Sequence, residues 1–167
     1  MNTSISTLFD FNKDADISSW NIVDDPVMVG ISPSFLNLTD EGHVNFYGYV
    51  TTERNRGFSS VDYDFNKVKV SPTSKIRIKL KGDGKTFQFR VKAFSYDRHN
   101  YIREFATSGE WQTVEIELSK MEPSWRGNKL RIPNFDKDQL TRITVLIANG
   151  EKQNFKLLID SIEMVKS

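Results

Sequence analysis

Two polar clusters in the first third of the chain are the residues best suited to recognising a ligand or a partner. The first combines paired carboxylates with a hydroxyl in a turn, and the second mixes charges of both signs with an amide. They consist of Asp24, Asp25 and Ser32, and of Glu53, Arg54, Asn55 and Arg56. Charges of both signs on loops suit recognition of a complementary patch. We expect two strands to bring both clusters to one edge of a β-domain, where they form a binding surface.

The paired carboxylates Asp24 and Asp25 allow three interpretations. A glycosidase pair is disfavoured, because neighbouring residues on a strand point to opposite faces and cannot both flank one bond. Calcium could bind Asp24, Asp25, Glu53 or Asp160 together with backbone carbonyls, but the spacing lacks the regularity of a calcium loop. In the third interpretation, at least one of Asp24, Asp25 and Asn55 holds a turn by hydrogen bonding to the backbone. We therefore predict no cofactor and no metal ion.

Aromatic and arginine side chains form two further groups. Tyr96, Arg98 and Tyr101 make up one, and Trp125 and Arg126 make up the other. Flat rings beside hydrogen-bonding groups suit sugar capture, and the same residue types are enriched at protein interfaces. A buried tryptophan covered by an arginine stem is the structural alternative. These groups predict a shallow saccharide site, as the alternative to a protein-binding surface at the polar clusters.

The chain shows no catalytic constellation. His43 and His99 lie in strand-like contexts without a G-x-S-x-G motif or a metal-spaced partner, so both are interpreted as surface or edge residues. The chain has no cysteine, which excludes a thiolate nucleophile and a disulfide. Its 23 basic and 22 acidic residues leave a net charge of +1, which provides no field for nucleic acid or an anionic membrane. We predict a non-enzymatic protein.

Length and patterning indicate one domain. A chain of 167 residues, 12% of them aromatic, can bury one core but is short for two ordinary domains, so we expect a single domain over residues 1–167. The N-terminus shows neither a positive leader nor a sustained apolar run, and no window of about 18 apolar residues occurs. We expect no membrane span, no signal or transit peptide, and a cytoplasmic location.

Strands must position the candidate residues. Alternation of apolar and polar residues predicts roughly nine strands, typical of an antiparallel β-sandwich or jelly roll. The alternation is clearest at residues 75–81, where Lys and Arg point outward, and residues 111–118 place Glu115 and Glu117 outward. We predict that these two strands share a sheet, with the glutamates facing the cations.

Local signals predict the connections. The Asp83-Gly84 pair between two alternating segments is typical of a β-hairpin. Residues 119–138 predict a long ordered loop with one helical turn at each end. Residues 142–149, apolar on both faces, predict a central strand. The inward set of the last strand changes parity between Ile159 and Ile162, which predicts a bulge near Asp160 and Ser161.

A family resemblance covers nearly the whole chain. Residues 20–32 read WNIVDDPVMVGIS, which resembles the signature of the complex I intermediate-associated protein family of the thirty-kilodalton type: W, a short gap, D-D, x, V-M-G-G, x, S. Further matches follow in order at Phe46 and Gly48, Glu53, Asn55, Gly57, Phe58, Ser60 and Val61, Gly82-Asp83-Gly84, residues 111–114, Ser124, Arg126 and Gly127, and Ile159, Asp160 and Ile162. Val29 replaces the first glycine of V-M-G-G. Arg54 and Arg56 replace an asparagine and a glycine, so the second cluster is more cationic than in the family.

The resemblance implies a galactose-binding-like jelly roll, similar to certain carbohydrate-binding modules, without an established catalytic activity. Family members in eukaryotes assist the assembly of mitochondrial respiratory complex I. Single-domain bacterial members resemble the same fold, and we expect this chain to be of the bacterial type. The resemblance thus favours a non-enzymatic binding module, of the assembly-factor or chaperone type, with a protein partner. A carbohydrate-binding module that recognises a saccharide is the alternative.

Overall fold

Two antiparallel sheets make up the part of the chain that the structure, a computed structural model, describes: residues 4–10, 16–24, 34–50, 58–148 and 153–166. The strands of this part are β1 (Ser4–Asp10), β2 (Trp20–Asp24), β3 (Phe35–Leu38), β4 (Val44–Val50), β5 (Ser59–Lys69), β6 (Lys75–Lys81), β7 (Thr86–Lys92), β8 (Asn100–Ala106), β9 (Trp111–Glu117), β10 (Glu122–Trp125), β11 (Asn128–Lys129), β12 (Gln139–Ile147) and β13 (Gln153–Lys166). The predicted antiparallel two-sheet sandwich is confirmed, with more strands than the sequence predicted. No helix in these ranges is long and apolar enough to span a membrane.

The strand order places the C-terminal strand at the centre of one sheet. The six-stranded sheet runs β3-β4-β13-β6-β9, and β1 pairs with the second half of β13 on the side where β4 pairs with the first half. The seven-stranded sheet runs β11-β10-β8-β7-β12-β5-β2. In this sheet β12 lies between β7 and β5, which confirms the prediction of a central strand.

The core lies between the inner faces of the two sheets. Every second residue of β6, namely Ile76, Ile78 and Leu80, is fully buried, and Phe87 and Phe89 of β7 are buried opposite them in the other sheet. The bulge predicted in the last strand is confirmed: the register of β13 against β6 shifts between Ile159 and Ser161. The shift keeps apolar side chains on the inner face along all of β13.

The predicted charge pairing between β6 and β9 is confirmed. The register sets Arg77 opposite Glu115 and Lys75 opposite Glu117. The Nη2 atom of Arg77 donates to Glu115 over 3.1 Å, and the Nζ atom of Lys75 lies 3.4 Å from the same carboxylate. Glu117 accepts a hydrogen bond from the Ser119 hydroxyl. The side chains of Lys75, Arg77 and Glu115 are 36–43% exposed, so these pairs contribute to register more than to stability.

The hairpin predicted at residues 82–84 is wrong. β6 belongs to the six-stranded sheet and β7 to the seven-stranded sheet, so this turn crosses from one sheet to the other. The Asp83 carboxylate accepts hydrogen bonds from the backbone N–H of Lys85 at 3.2 Å and of Lys156 at 2.9 Å. The aspartate and the glycines form a real turn, but its chemistry does not determine which sheet the next strand joins.

Gly82 is needed at this crossing because Thr107 approaches it closely. A Cβ atom at Gly82 would lie 2.3 Å from the Cβ of Thr107. The Thr107 hydroxyl is fixed in place, since it accepts from the N–H of Gly84 at 3.0 Å and donates to the carbonyl of Lys85 at 2.7 Å. The position therefore requires a residue without a side chain.

The segment predicted as a long loop contains a small hairpin. A 3-10 turn at Leu118–Lys120 confirms the first predicted helical turn. The second is wrong: β10 and β11 pair as a two-stranded unit on the edge of β8, and residues 130–138 contain no helix. Pro123 pairs opposite Tyr101, which joins this segment to the seven-stranded sheet.

Candidate functional site

The outer face of the seven-stranded sheet carries a continuous set of polar and charged side chains. Val61 and Tyr63 of β5 face inward, so Asp62 and Asp64 face outward. The register places Thr144 of β12 between Asp62 and Arg90, and Arg142 of β12 between Asp64 and Lys92. We call this set the polar face; its members are Asp62, Asp64, Gln88, Arg90, Lys92, Arg142 and Thr144.

Close contacts order the β5 and β12 side of the polar face. The Nε atom of Arg142 donates to Asp64 over 2.6 Å, and its Nη2 atom donates to the second oxygen of this carboxylate over 3.3 Å. The hydroxyl of Thr144 donates to Asp62 over 2.6 Å. The hydrogen bond to Asp64 raises the pKa of Arg142. The charged side chains on this half of the polar face are therefore held in place by hydrogen bonds to one another and to Thr144.

The β7 side of the polar face is cationic and partly buried. The Nε and Nη2 atoms of Arg90 donate to the same amide oxygen of Gln88, over 3.1 and 2.8 Å. Burial lowers the pKa of Arg90, and attraction to Asp62 opposes the shift. Burial also lowers the pKa of Lys92, and the neighbouring charge of Arg142 adds to this effect. Both cations lie where water screens them poorly.

The centre of the polar face is recessed and lacks aromatic rings. Ser60, Thr144 and Leu146 face outward by register but are only 4%, 5% and 6% exposed. Among the described outward-facing residues of β2, β5, β7, β8 and β12, none is aromatic. A ligand on this face would meet hydrogen-bonding groups and charges but no stacking plane.

A groove continues the polar face toward β10 and β11. Its volume is about 420 Å³, and its polar lining includes Gln88, Glu104, Glu122, Ser124 and Lys129. The Nζ atom of Lys129 donates to Glu122 over 3.3 Å, and both side chains are more than half exposed. Hydroxyl, amide and carboxylate groups thus converge on a cleft with room for a small polar ligand.

The structure separates the members of the first aromatic group that the sequence proposed for a saccharide site. Tyr101 is only 1% exposed; its ring packs edge-on against Phe135 at 5.1 Å, and its hydroxyl lies 3.3 Å from Nε2 of His99. This ring belongs to the core, since the inward parity of β8 directs it there. Tyr96 is 78% exposed and stacks on Phe94 at 5.2 Å. Its neighbour Arg98 is also exposed.

The second aromatic group stays together at the surface. Trp125, at the end of β10, is 38% exposed, and the guanidinium of Arg126 lies 4.8 Å from the centre of its ring. Arg126 has a φ of 51°, so this pair sits on a tight left-handed turn between β10 and β11. The register of Ser124 opposite Asn100 sets the end of β10 beside the start of β8.

The two polar clusters of the sequence analysis lie almost entirely outside the described residues. Asp25, Ser32, Glu53, Arg54, Asn55 and Arg56 fall outside them, and of Asp24 the backbone alone is described. The flanking strands do meet: β2 pairs with β5, with Asp24 opposite Ser59. Asp160, the fourth calcium candidate, lies 3.4 Å from Nε2 of His43. The described residues hold no group of three His, Cys, Asp or Glu side chains suited to a metal ion.

The sequence analysis missed the polar face. Its signal was present as polar residues at alternate positions in two strands, Asp62 and Asp64 in one, Gln88, Arg90 and Lys92 in the other. Each pattern by itself indicates an ordinary solvated face. These residues lie on one surface because β12 pairs between β5 and β7, and its Arg142 is 78 positions away from Asp64 in sequence.

Several solved structures with the same fold are carbohydrate-binding modules. The family 11 module from Clostridium thermocellum, in complex with a β-1,3-1,4-mixed-linked tetrasaccharide, has a TM-score of 0.72 at 16% identity, over 98% of this chain and 96% of that chain. The family 11 module of a cellulosomal cellulase of the same organism has a TM-score of 0.74 at 16% identity, over 100% and 97%. A family 29 module has a TM-score of 0.60 at 12% identity, over 100% and 88%. At these identities the likeness establishes the jelly-roll fold alone.

The fold and the strand order together define a two-sheet jelly-roll domain. The family model for complex I intermediate-associated protein 30 (CIA30) matches residues 9–159. The chain belongs to this family, as its motifs in the sequence indicated. A comparison with curated proteins gives no significant match.

Proposed function

We propose that the protein is a non-enzymatic binding module of the assembly-factor type, which captures a protein partner on the polar face. The observation that supports this best is the arrangement of charges of both signs on a broad sheet face without an aromatic ring. Five strands about 4.8 Å apart span about 20 Å, the scale of a protein contact patch. Non-obligate protein interfaces are about as polar as the remaining surface, so a charged face of this kind is compatible with a protein partner.

The two polar clusters of the sequence extend this surface in our proposal. Asp24, Asp25 and Ser32 would contribute from one side, and Glu53, Arg54, Asn55 and Arg56 from the other. The register of Asp24 opposite Ser59 supports this, because the described residues that flank the two clusters lie side by side at one end of the polar face. Charges there would mainly set the association rate and the choice of partner.

The partner is, in this proposal, an assembly intermediate of respiratory complex I. Membership in a family named for association with a complex I intermediate supports it. The chain would act by holding a partly assembled subunit through complementary charges, with no chemical step. Neither a metal ion nor a cofactor enters this function.

A pull-down with a matched pair of double variants tests the proposal. Asp64→Ala with Arg142→Ala removes the Asp64–Arg142 ion pair and the longer contact of Arg142 with Asp62 from the polar face. Arg77→Ala with Glu115→Ala removes the Arg77–Glu115 ion pair and the longer contact of Lys75 with Glu115 from the outer face of the other sheet. Both keep the net charge, and each should change stability by no more than ~1 kcal/mol. Capture of complex I subunits, identified by mass spectrometry, should fall about tenfold in the first variant and persist in the second. Equal capture by both variants would show that the partner binds outside the polar face.

The cationic cluster is tested separately. In the double substitution Arg54→Ala with Arg56→Ala, we expect stability within ~0.5 kcal/mol of the wild type and reduced partner recovery. A large loss of stability would assign these arginines to the architecture of the fold. Full recovery would exclude them from the binding surface.

Saccharide recognition is the second candidate function. The groove lined by Gln88, Glu104, Glu122 and Ser124 favours it, since such groups bind hydroxyls. Trp125 and Arg126, with Tyr96 and Arg98, would add the stacking plane. Calorimetry with mixed-linked β-glucan tetrasaccharide and a glycan array, with and without calcium, tests it. Trp125→Ala should abolish binding, whereas Trp111→Ala, which removes an equally exposed ring from the other sheet, should not. Absence of binding in all conditions would eliminate this function.

A further inference from the structure

Arg90 occupies an unusual position on the polar face. It lies in β7, and its cross-strand neighbours are Thr144 of β12 and Ile102 of β8, neither of which is charged. The residues two positions before and after it on the same face are Gln88 and Lys92. No carboxylate therefore faces it directly across either neighbouring strand.

The hydrogen bonds of Arg90 differ from those of the arginines at comparable positions. Arg77 and Arg142 each direct Nε and an Nη atom to a carboxylate, Glu115 and Asp64 respectively. Arg90 directs Nε and Nη2 to the neutral amide oxygen of Gln88. A guanidinium has five N–H donors, so most of its capacity is unused in the described part of the chain.

Burial makes this arrangement costly for the free protein. A partly buried cation is destabilised unless an anion compensates it, and the lowered pKa of Arg90 has burial as its largest cause. Asp62 attracts Arg90 only at longer range, because its carboxylate accepts from Thr144 and lies 3.7 Å from Nη1 of Arg142. An incoming carboxylate would gain a charge-assisted, two-point contact in a poorly screened site.

We propose that Arg90, assisted by Lys92, is the receptor for a single carboxylate side chain of the protein partner. This inference rests on the proposed function and names the chemistry that the polar face recognises. Asp62 on β5, beyond Thr144, and Glu104 on β8, opposite Gln88, flank this site and would repel further negative charge. The site therefore selects an isolated acidic residue on the partner and rejects a polyanion such as nucleic acid or polyphosphate.

Side-chain NMR tests the receptor directly. The probe is acetyl-Gly-Glu-Gly-amide in the millimolar range, and acetyl-Gly-Gln-Gly-amide and inorganic phosphate are the comparison ligands. The Nε–H signal of Arg90, assigned by its loss in Arg90→Lys, should shift saturably with the glutamate peptide and not with the glutamine peptide. The Nε–H of Arg77, already bonded to Glu115, should not respond. An unmoved Arg90 signal, equal shifts at both arginines, or a larger response to phosphate would overturn the inference.

The pull-down separates failure of this inference from failure of the proposed function. Arg90→Gln should reduce partner capture about tenfold, Arg90→Lys should give an intermediate reduction, and Arg77→Gln should capture as the wild type does. Circular dichroism establishes whether each variant is folded. If Arg90→Gln does not fold, the capture measured with Arg90→Lys tests the receptor. Full capture by the Arg90 variants, with loss in the Asp64 and Arg142 double variant, would refute the receptor and retain the polar face. Full capture by all of them would refute both.

Discussion

Gly82→Ala should destabilise the protein far beyond an ordinary glycine substitution. Gly82 is not among the glycines with positive φ, so its backbone accepts alanine. The new methyl group, however, would meet the Cβ, Cγ2 and Oγ1 atoms of Thr107 at 2.3 to 2.4 Å. A Cβ atom cannot rotate away, so relief requires the backbone of the sheet crossing to move or Thr107 to be displaced.

The magnitude follows from these contacts. Inserting a methyl group where there is no space costs ~1–3 kcal/mol. Displacing Thr107 also weakens its bonds to Gly84 and Lys85, each worth ~1 kcal/mol. The expected loss is therefore about 2–4 kcal/mol, which corresponds to a decrease in Tm of about 5–15 °C for a chain of this size.

Urea unfolding of a double-mutant cycle provides the measurement. Thr107→Gly removes the three atoms that lie nearest to the new methyl group. The double variant should therefore be more stable than the sum of the single effects predicts, by at least ~1 kcal/mol. Gly109→Ala, at a glycine with open space around it, should add to Thr107→Gly without coupling. If Gly82→Ala and Thr107→Gly are simply additive, the argument from close approach is wrong.

Three further predictions concern the pairs and the bulge. The hydrogen bond from Arg77 lowers the pKa of Glu115, so the pair stabilises the fold above the unfolded pKa of the carboxyl and loses this contribution as pH falls through the folded pKa. Glu115→Gln should therefore cost ~0.2–1 kcal/mol at pH 7 and progressively less as the pH is lowered, and a cost that does not depend on pH would contradict the pairing. Thr144→Val should cost ~1–3 kcal/mol in urea unfolding, because Asp62 loses a buried donor; a cost near zero would show that water replaces it. Deletion of Ser161 should leave the protein folded, because it removes the extra residue of the bulge and leaves Ile159 and Ile162 two positions apart with both on the inner face; loss of the native fluorescence spectrum would contradict this.

The sequence predicted those features that depend on neighbours along the chain. The alternation in β6 identified its buried face, and the change of parity between Ile159 and Ile162 located the bulge. The opposite charges outside β6 and β9 predicted their pairing, because outward charges on adjacent strands need complementary partners. An alternating pattern shows which face of a strand is buried, and it can be recognised within the strand itself.

The assignment of strands to sheets could not be read in the same way. The Asp83-Gly84 turn is equally compatible with a hairpin and with a crossing between sheets. The crossing occurs because β6 pairs with β13 and β9 on its two edges, whereas β7 pairs with β12 and β8. The polar face depends on β5 and β12, which meet from distant parts of the chain. The sequence could not single out Arg90, because what distinguishes it is the absence of a carboxylate opposite it on either neighbouring strand.

The central position of β13 determines the order in which the six-stranded sheet can form during translation. During translation this strand emerges after every other described strand, yet β1, β4 and β6 all pair with it. Until it leaves the ribosome, these strands present open edges, which are the usual sites of aggregation. The six-stranded sheet can therefore be completed only after β13 has emerged, in one slow, non-local step. A nascent chain stalled before residue 153 would be a substrate for chaperones.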